Sequence, residues 1–269
     1  MSESRETAAV ADAIEIDAWR DLYAAAPPSI RRAFALDVVT IGDACVFVAK
    51  TLPMAMFNRC IGLGNERSAS ESDLDAALGA LEAANVWVTH GPASRTPEIA
   101  GWLEARRFRP APRAWLKLLR DDSAPAHDSE CPYVVREIGA EHGHAFARTL
   151  ADAHGMPGDL VAWTEALIGR PGWRAYAAFE DDTVVAGGMV YVTGDRAWIG
   201  LGGTIAAHRE RGAQAAILAQ RIGAAIDAGC TVLATEAGER APGERAPSYD
   251  NMIKAGFRVI ATRKNFERA

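Results

Sequence analysis

The chain has 269 residues, 49% of them apolar and 24% charged, with a formal net charge of -6. That length suits two domains of ordinary size, each with a full apolar core. The mildly acidic balance leaves nucleic-acid binding without electrostatic support and, if anything, favours a cationic partner.

The opening stretch, MSESRETAAVADAIEIDAWR, is charged and has no apolar signal region. No apolar run approaches the roughly 18 residues of a membrane span. No membrane partner and a cytoplasmic location are therefore expected. The cysteines Cys45, Cys60, Cys131 and Cys230 form no CxxC pair and have no histidine cluster beside them. They read as reduced, mostly buried thiols, and no metal is expected.

Further along, the strand-like run MFNRCIGLG ends at Gly64. A helical stretch, SDLDAALGALEAANV, follows with Leu74, Leu78 and Leu81 on one face, then the β-rich VWVTH. GWLEARRFRPAPRAWLKLLR closes the first half. Residues 122–130, DSAPAHDSE, are polar, contain a proline, show no periodicity and read as a linker. The second half repeats the order. DRAWIGLG ends at Gly202, AAILAQRIGAAIDAG places Leu218, Ile222 and Ile226 on one face, and TVLATE and NMIKAGFRVIATRKNFER follow. Five elements in the same order mark a tandem duplication, with units at 1–121 and 131–269.

The halves differ after GLG. The first continues into the acidic NERSASESD, the second into GTIAAHRERGAQ. A helix N-terminus presents backbone N–H groups without internal partners, and its dipole adds positive potential. Gly212 is the turn residue there, Ala213 and Gln214 open the helix, and Arg209 and Arg211 add charge for phosphate oxygens. The strand glycines Gly202 and Gly203, just before Thr204, Ile205 and Ala206, signal a bulge or a close backbone approach. There is no GxxxxGK[ST] and no GxGxxG motif.

With AWIGLGGTIAAH leading into Arg209-Glu210-Arg211-Gly212-Ala213-Gln214, and SYDNMIKAGF later, the sequence resembles the GNAT superfamily of Gcn5-related acyl-CoA N-acyltransferases. The family loop is Arg/Gln-x-x-Gly-x-Gly/Ala, and Gln214 departs from it at the last place. The resemblance covers residues 132–266 as one full domain and 13–120 as a fainter copy without the loop. It implies an α/β (α+β) fold of two tandem domains. Each is a mixed, mostly antiparallel twisted sheet flanked by helices, with a splayed parallel strand pair for acyl-CoA.

The resemblance further implies acetyl-CoA, or another acyl-CoA, as co-substrate and a small-molecule amine as acceptor. The pantetheine arm would lie along Thr204, Ile205 and Ala206. The diphosphate would sit on the N–H groups of Arg211, Gly212, Ala213 and Gln214, with Arg209 beside it and Asn251 a further cofactor contact. The oxyanion donor would be a backbone N–H near Ile205. Glu236 is the first candidate base and Asp195 the second, although VTGDRAW also reads as a hairpin turn. Many relatives carry a tyrosine acid four residues before the glycine of the final Gly-Phe. Here that position is Met252, so Tyr249, with Ser248 beside it, becomes the candidate acid. ADAHGMPGDLVAWTEALIGRPGW would form the acceptor site, with His154, Met156, Trp163 and Trp173 as lining. The assembly is expected to be a monomer or homodimer. Two alternatives stand beside the enzyme: a non-catalytic acyl-CoA-binding sensor or scaffold, and an α/β protein binding another phosphate ligand.

Overall fold

The structure, a computed structural model, describes residues 2–83, 85–124, 130–241 and 243–269. It opens with a 24-residue helix, α1 (Ser2–Ala25). Ala8, Ala11, Ile14, Ala18, Trp19 and Leu22 are buried along it, the three- and four-residue spacing of one helix face. Asp12 and Glu15 are buried too.

The first half continues through α2 (Pro28–Phe34), β1 (Leu36–Ile41), β2 (Ala44–Ala49), β3 (Arg59–Ile61), α3 (Glu71–Ala80), β4 (Trp87–His90), α4 (Ile99–Ala105), β5 (Phe108–Pro110) and β6 (Trp115–Asp121). Ser70 and Asp73 form a reciprocal capping box that fixes the start of α3. The second half runs β7 (Val134–Ile138), α5 (Gly143–His154), α6 (Leu160–Glu165), β8 (Trp173–Glu180), β9 (Thr183–Thr193), β10 (Arg196–Thr204), α7 (Ala213–Asp227), β11 (Val232–Gly238), α8 (Pro247–Lys254) and β12 (Arg258–Arg268). Gly229, at φ +86°, ends α7 in the left-handed conformation that glycine adopts without strain. Of the linker at 122–130, residues 125–129 lie outside the described residues.

All the strands join one sheet, in the order β1-β2-β3-β4-β12-β6-β11-β10-β9-β8-β7, with β5 on β12. Each half ends by lending its last strand to the other. β6, the end of the first half, pairs antiparallel with β11 from Val232↔Asp121 to Gly238↔Trp115. β12, the end of the second, pairs with β4. At the centre β6 and β12 pair with each other. The two halves therefore share one sheet.

The α1 side of the sheet is sealed by an aromatic group built from both halves: Trp19, Tyr23, Phe47, Phe57, Trp163, Trp173 and Trp198. Trp163 donates its indole N–H to the Leu22 carbonyl at 2.7 Å. Trp173 donates to Asp21 at 2.7 Å, and Arg170 grips the same carboxylate at 2.6 Å. These bonds fasten α1 onto the second half. The opposite side is covered by α7, whose Ile217, Leu218, Ile222 and Ala225 are buried against Val185, Val190 and Ile199.

Candidate active site

Among the described residues the parallel pairs of this sheet are β3–β4 and β10–β11. In the second half the pairing is brief: Arg196–Trp198 match Val232–Ala234, and then the strands part. β10 stays with β9 and β11 stays with β6, so a fork opens between them. Thr235 holds its apex, donating its hydroxyl to the Ile199 carbonyl at 2.7 Å. Just beyond, β10 bulges: Gly200 pairs with Met189 and Gly203 with Gly187, so Leu201 and Gly202 have no partner in register. Leu201 has a left-handed φ of +49°. The glycine-rich run thus breaks the ladder and turns backbone groups toward the fork.

On the α7 side the fork opens into a cleft of about 590 Å³. The N-terminus of α7 faces it through Gly212, Ala213, Gln214 and Ala215, and no side chain caps that end. Its first N–H groups are therefore free to meet an anion. Arg245, paired with Glu210 at 2.9 Å, and Lys254 stand on the same walls, as does Asp250, and neither cation stood out in the sequence. These residues fit a phosphate-bearing ligand.

Gly212 is the turn residue, and its missing Cβ also serves the packing of the chain itself. Its φ of +86° is one that only glycine adopts easily, and a Cβ there would lie 2.9 Å from the Glu130 carbonyl. It lets the chain pack against its own backbone.

On the α1 side lies a chamber of about 410 Å³, lined by both halves: Trp19, Met54, Met56 and Arg59 from the first, His154, Met156, Leu160, Trp198 and Glu236 from the second. Cleft and chamber meet through the fork, sharing His154, Gly202, Gln214, Arg221, Ser248 and Met252 as walls.

Glu236 stands on β11 just past the fork's apex. It accepts from the Trp198 indole at 2.9 Å and from Lys117 Nζ at 2.5 Å. Lys117 comes from β6, the strand lent by the first half, and also bonds Glu15 of α1 at 2.8 Å. Arg59 and Arg263 reach Glu15 at 2.8 and 2.6 Å, and Arg263 reaches Asp12 at 2.9 Å. Three buried acids and three buried bases thus form one neutral network. Burial works against the Glu15 charge, yet Arg263, Lys117 and Arg59 hold its carboxyl well below the usual range. Glu236 moves the other way. Its own burial and the neighbouring Glu15 charge raise it above the ordinary value despite Lys117 and Arg263. A buried carboxylate at the chamber wall, poised upward, is suited to accept a proton.

Of the expected cofactor contacts, Thr204, Arg209, Gly212, Ala213, Gln214 and Asn251 line the cleft. Arg211 does not: it packs over the Tyr133 ring and pairs with Glu180 at 3.3 Å. Arg209 is turned onto the chain itself, donating to the carbonyls of Thr204 at 3.2 Å and Ala153 at 3.0 Å. Ile205 and Ala206 lie outside the cleft walls, and the Ile205 N–H is taken by the Val185 carbonyl at 3.1 Å. It is therefore not free to serve an oxyanion, whereas the unpaired bulge at Leu201 and Gly202 faces the fork.

Two edge carbonyls are held by side chains. His154 Nε2 donates to Gly202 at 2.9 Å, and Gln214 donates to Gly203 at 2.8 Å. His154 and Met156 line the chamber; Trp173 is buried against Asp21, and Trp163 against α1. Tyr249 is half-buried against the α7 core and lines neither cavity; Ser248 and Met252 line both. Asp195 sits in the hairpin turn between β9 and β10, its side chain 69% exposed. Among the described residues no group of His, Cys, Asp or Glu could hold a metal ion, and no helix is long and apolar enough to cross a membrane.

No protein-family profile and no curated protein matches the sequence. Solved structures do match. A GCN5-related N-acetyltransferase from Kribbella flavida is similar with a TM-score of 0.61 and 15% identity, over 89% of this chain and 93% of its own. One from Sphaerobacter thermophilus has a TM-score of 0.61 and 16% identity, over 85% and 81%. A tandem GNAT protein from the clavulanic acid biosynthesis pathway, without AcCoA, has a TM-score of 0.57 and 13% identity, over 83% and 77%. With a forked parallel pair, a bulged β10 and an uncapped α7 after the arginine-glycine turn, the chain has the fold of the tandem GCN5-related N-acetyltransferases.

Proposed function

We propose that the protein is an acyl-CoA-dependent N-acyltransferase acting on the primary amine of a small molecule. The observation that carries this reading is the fork itself. It joins a cleft ending on the free N–H groups of α7 to a second chamber that contains a buried carboxylate. A donor and an acceptor entering from opposite sides would meet at the fork. Acetyl-CoA is the donor that the sequence resemblance implies.

When bound, the thioester supplies an activated acyl carbonyl. The chain's residues would do the rest. The α7 N-terminus, with Arg245 and Lys254, holds the diphosphate. Trp19, Trp198, Met54, Met56 and Met156 wrap the apolar body of the amine and exclude water. The transfer forms a C–N bond and breaks a C–S bond. Glu236 takes the proton that nitrogen loses, and the sulfur leaves with the C–S electron pair. A backbone N–H of the out-of-register bulge at Leu201 and Gly202 would polarise the carbonyl. Lys117 and Trp198 position the Glu236 carboxylate.

A binding-only role is the second reading. Met252 stands at the fork where many relatives carry a tyrosine acid, and His154 and Gln214 occupy strand-edge carbonyls. One experiment tests both. Acetyl-CoA is titrated by calorimetry into the wild type and Ala215→Glu, which sets a negative charge on the cleft wall at the first turn of α7. Release of CoA is followed over a panel of primary amines. Binding lost in the variant supports the cleft assignment, and amine-dependent release supports the enzyme. Binding with no release from any amine favours the sensor, and no binding by the wild type ends both.

A further inference from the structure

Arg221 is an ionised side chain left without a counter-ion. It stands on the sheet-facing side of α7 and is 4% exposed. Its Nε donates to the Ile217 carbonyl at 3.4 Å, and its Nη1 to the carbonyls of Met189 at 3.2 Å and Gly200 at 3.0 Å. It makes no salt bridge among the described residues, although two other buried arginines, Arg59 and Arg263, both share Glu15. Nη2 has no hydrogen bond among the described residues and lies beside Gly202, where an added Cβ would be 3.6 Å from it.

Three neutral carbonyls solvate a guanidinium but do not neutralise it, and an isolated charge is among the least favourable things to bury. Burial alone pulls this group down to about 10, and no carboxylate opposes that shift. Gly188 and Gly202 leave room for it, since a Cβ at Gly188 would lie 2.7 Å from the guanidinium carbon.

Its place in the molecule says which part of a ligand it would meet. Arg221 is one of the few residues that line both cleft and chamber. It lies eight residues along α7 from Ala213, about 12 Å at 1.5 Å per residue. Its guanidinium is held at the bulge, by the Gly200 and Met189 carbonyls, rather than at the helix's first N–H groups. What passes beside Nη2 is whatever lies in the fork.

We infer that Arg221 is the counter-ion for a carboxylate on the acyl group of the donor, so that the substrate class is an ω-carboxyacyl thioester rather than a simple acetyl one. This rests on the proposed acyltransferase reading and fixes its donor. The permanent charge of Arg221 is matched by a permanent anion in the bound state, which an acetyl group does not offer. A charge-assisted bond of this kind separates a carboxylate from a methyl strongly.

The test is calorimetric titration of free CoA, acetyl-CoA, butyryl-CoA, malonyl-CoA and succinyl-CoA into the wild type, Arg221→Gln and Arg221→Lys. The wild type is expected to bind malonyl- or succinyl-CoA at least tenfold more tightly than butyryl-CoA. Arg221→Gln brings that ratio within about twofold of one, Arg221→Lys retains part of it, and free CoA binds all three within about threefold. A wild-type ratio at or below one overturns the inference even if the variants fail to fold, and so does a ratio that survives Arg221→Gln. Loss of turnover by the same factor with every donor, at unchanged affinity ratios, also overturns it and moves Arg221 to the reacting carbonyl. Failure of free CoA to bind the wild type is a different result: it removes the acyltransferase reading itself.

Discussion

Replacing Lys117 with methionine tests the buried network and the base together. Lys117 is 1% exposed and touches Glu15 and Glu236 at 2.8 and 2.5 Å. Methionine fills much the same volume but leaves three buried acids against two bases. Removing one partner of a buried pair costs about 3–5 kcal/mol. At roughly 2–4 °C per kcal/mol for a chain this long, Tm falls by roughly 6–20 °C. The pH dependence carries the sharper information. The folded-state pKa of Glu236 already lies above its unfolded value. Its ionisation therefore opposes folding, and the loss appears as pH rises from the ordinary carboxylate range through the raised value. Without Lys117 that raised value climbs further. The Tm deficit of Lys117→Met should thus be larger at pH 8 than at pH 5, where Glu236 can take up a proton and restore neutrality. Adding Glu236→Gln should recover a large part of the deficit at pH 8. Calorimetric melting of the four proteins of this cycle at both pH values is the assay. A deficit equal at both pH values, or unrelieved by Glu236→Gln, would refute the charge-balance reasoning.

Other consequences are equally direct. Glu236→Gln should lower turnover by roughly 10²–10⁴-fold with acyl-CoA affinity nearly unchanged, as the loss of a general base requires; a tenfold loss of affinity would count against that role. In the wild type kcat/KM should fall as pH drops, with a midpoint above the ordinary glutamate value of 4.5, because burial and Glu15 raise the group that must be unprotonated; a midpoint below 4.5 in the rate profile would contradict the assignment. Gly212→Ala should destabilise by about 1–3 kcal/mol, from a strained positive φ and the 2.9 Å approach to the Glu130 carbonyl, read as a lowered urea midpoint. Gln214→Ala releases the Gly203 carbonyl, and one freed acceptor of about 1 kcal/mol should tighten CoA binding by several-fold; weaker binding would show that Gln214 contacts the ligand directly.

The sequence made the second half's machinery legible because its signals are local. A strand rich in glycine, an arginine-glycine turn and a slim apolar helix each constrain backbone shape within a few residues, and β10, Gly212 and α7 follow. Glu236 was legible as the end of TVLATE. α1 was not, because Asp12 and Glu15 break the apolar stripe with acids whose partners Arg59, Lys117 and Arg263 lie from over 40 to about 250 residues away. Lys117 and Arg221 were hidden for the converse reason. A lone cation in WLKLLR or in LAQRIGAA ordinarily reads as solvent-facing, and only the tertiary fold buries it. A charge where an apolar period demands a core position was the available signal. Trp173 was drawn to the acceptor site by its neighbourhood in sequence, but its indole found Asp21 on the other half. Strand exchange leaves no local trace, since β6 and β12 would read alike in either sheet.

That exchange has a consequence for how the protein is made. Phe266 pairs with Val88, and the central β6–β12 ladder joins residues near 117 to residues near 261. Ribosomes deliver those partners far apart in time. The first half emerges with the edge of β4 open and with β6 directed to a strand not yet synthesised, so its core cannot close during translation. Such long-range pairing is slow, and an open strand edge is exposed to aggregation meanwhile. Folding should therefore be one late, all-or-none event. A chain truncated before β12 should be a client of chaperones, not a stable half-protein.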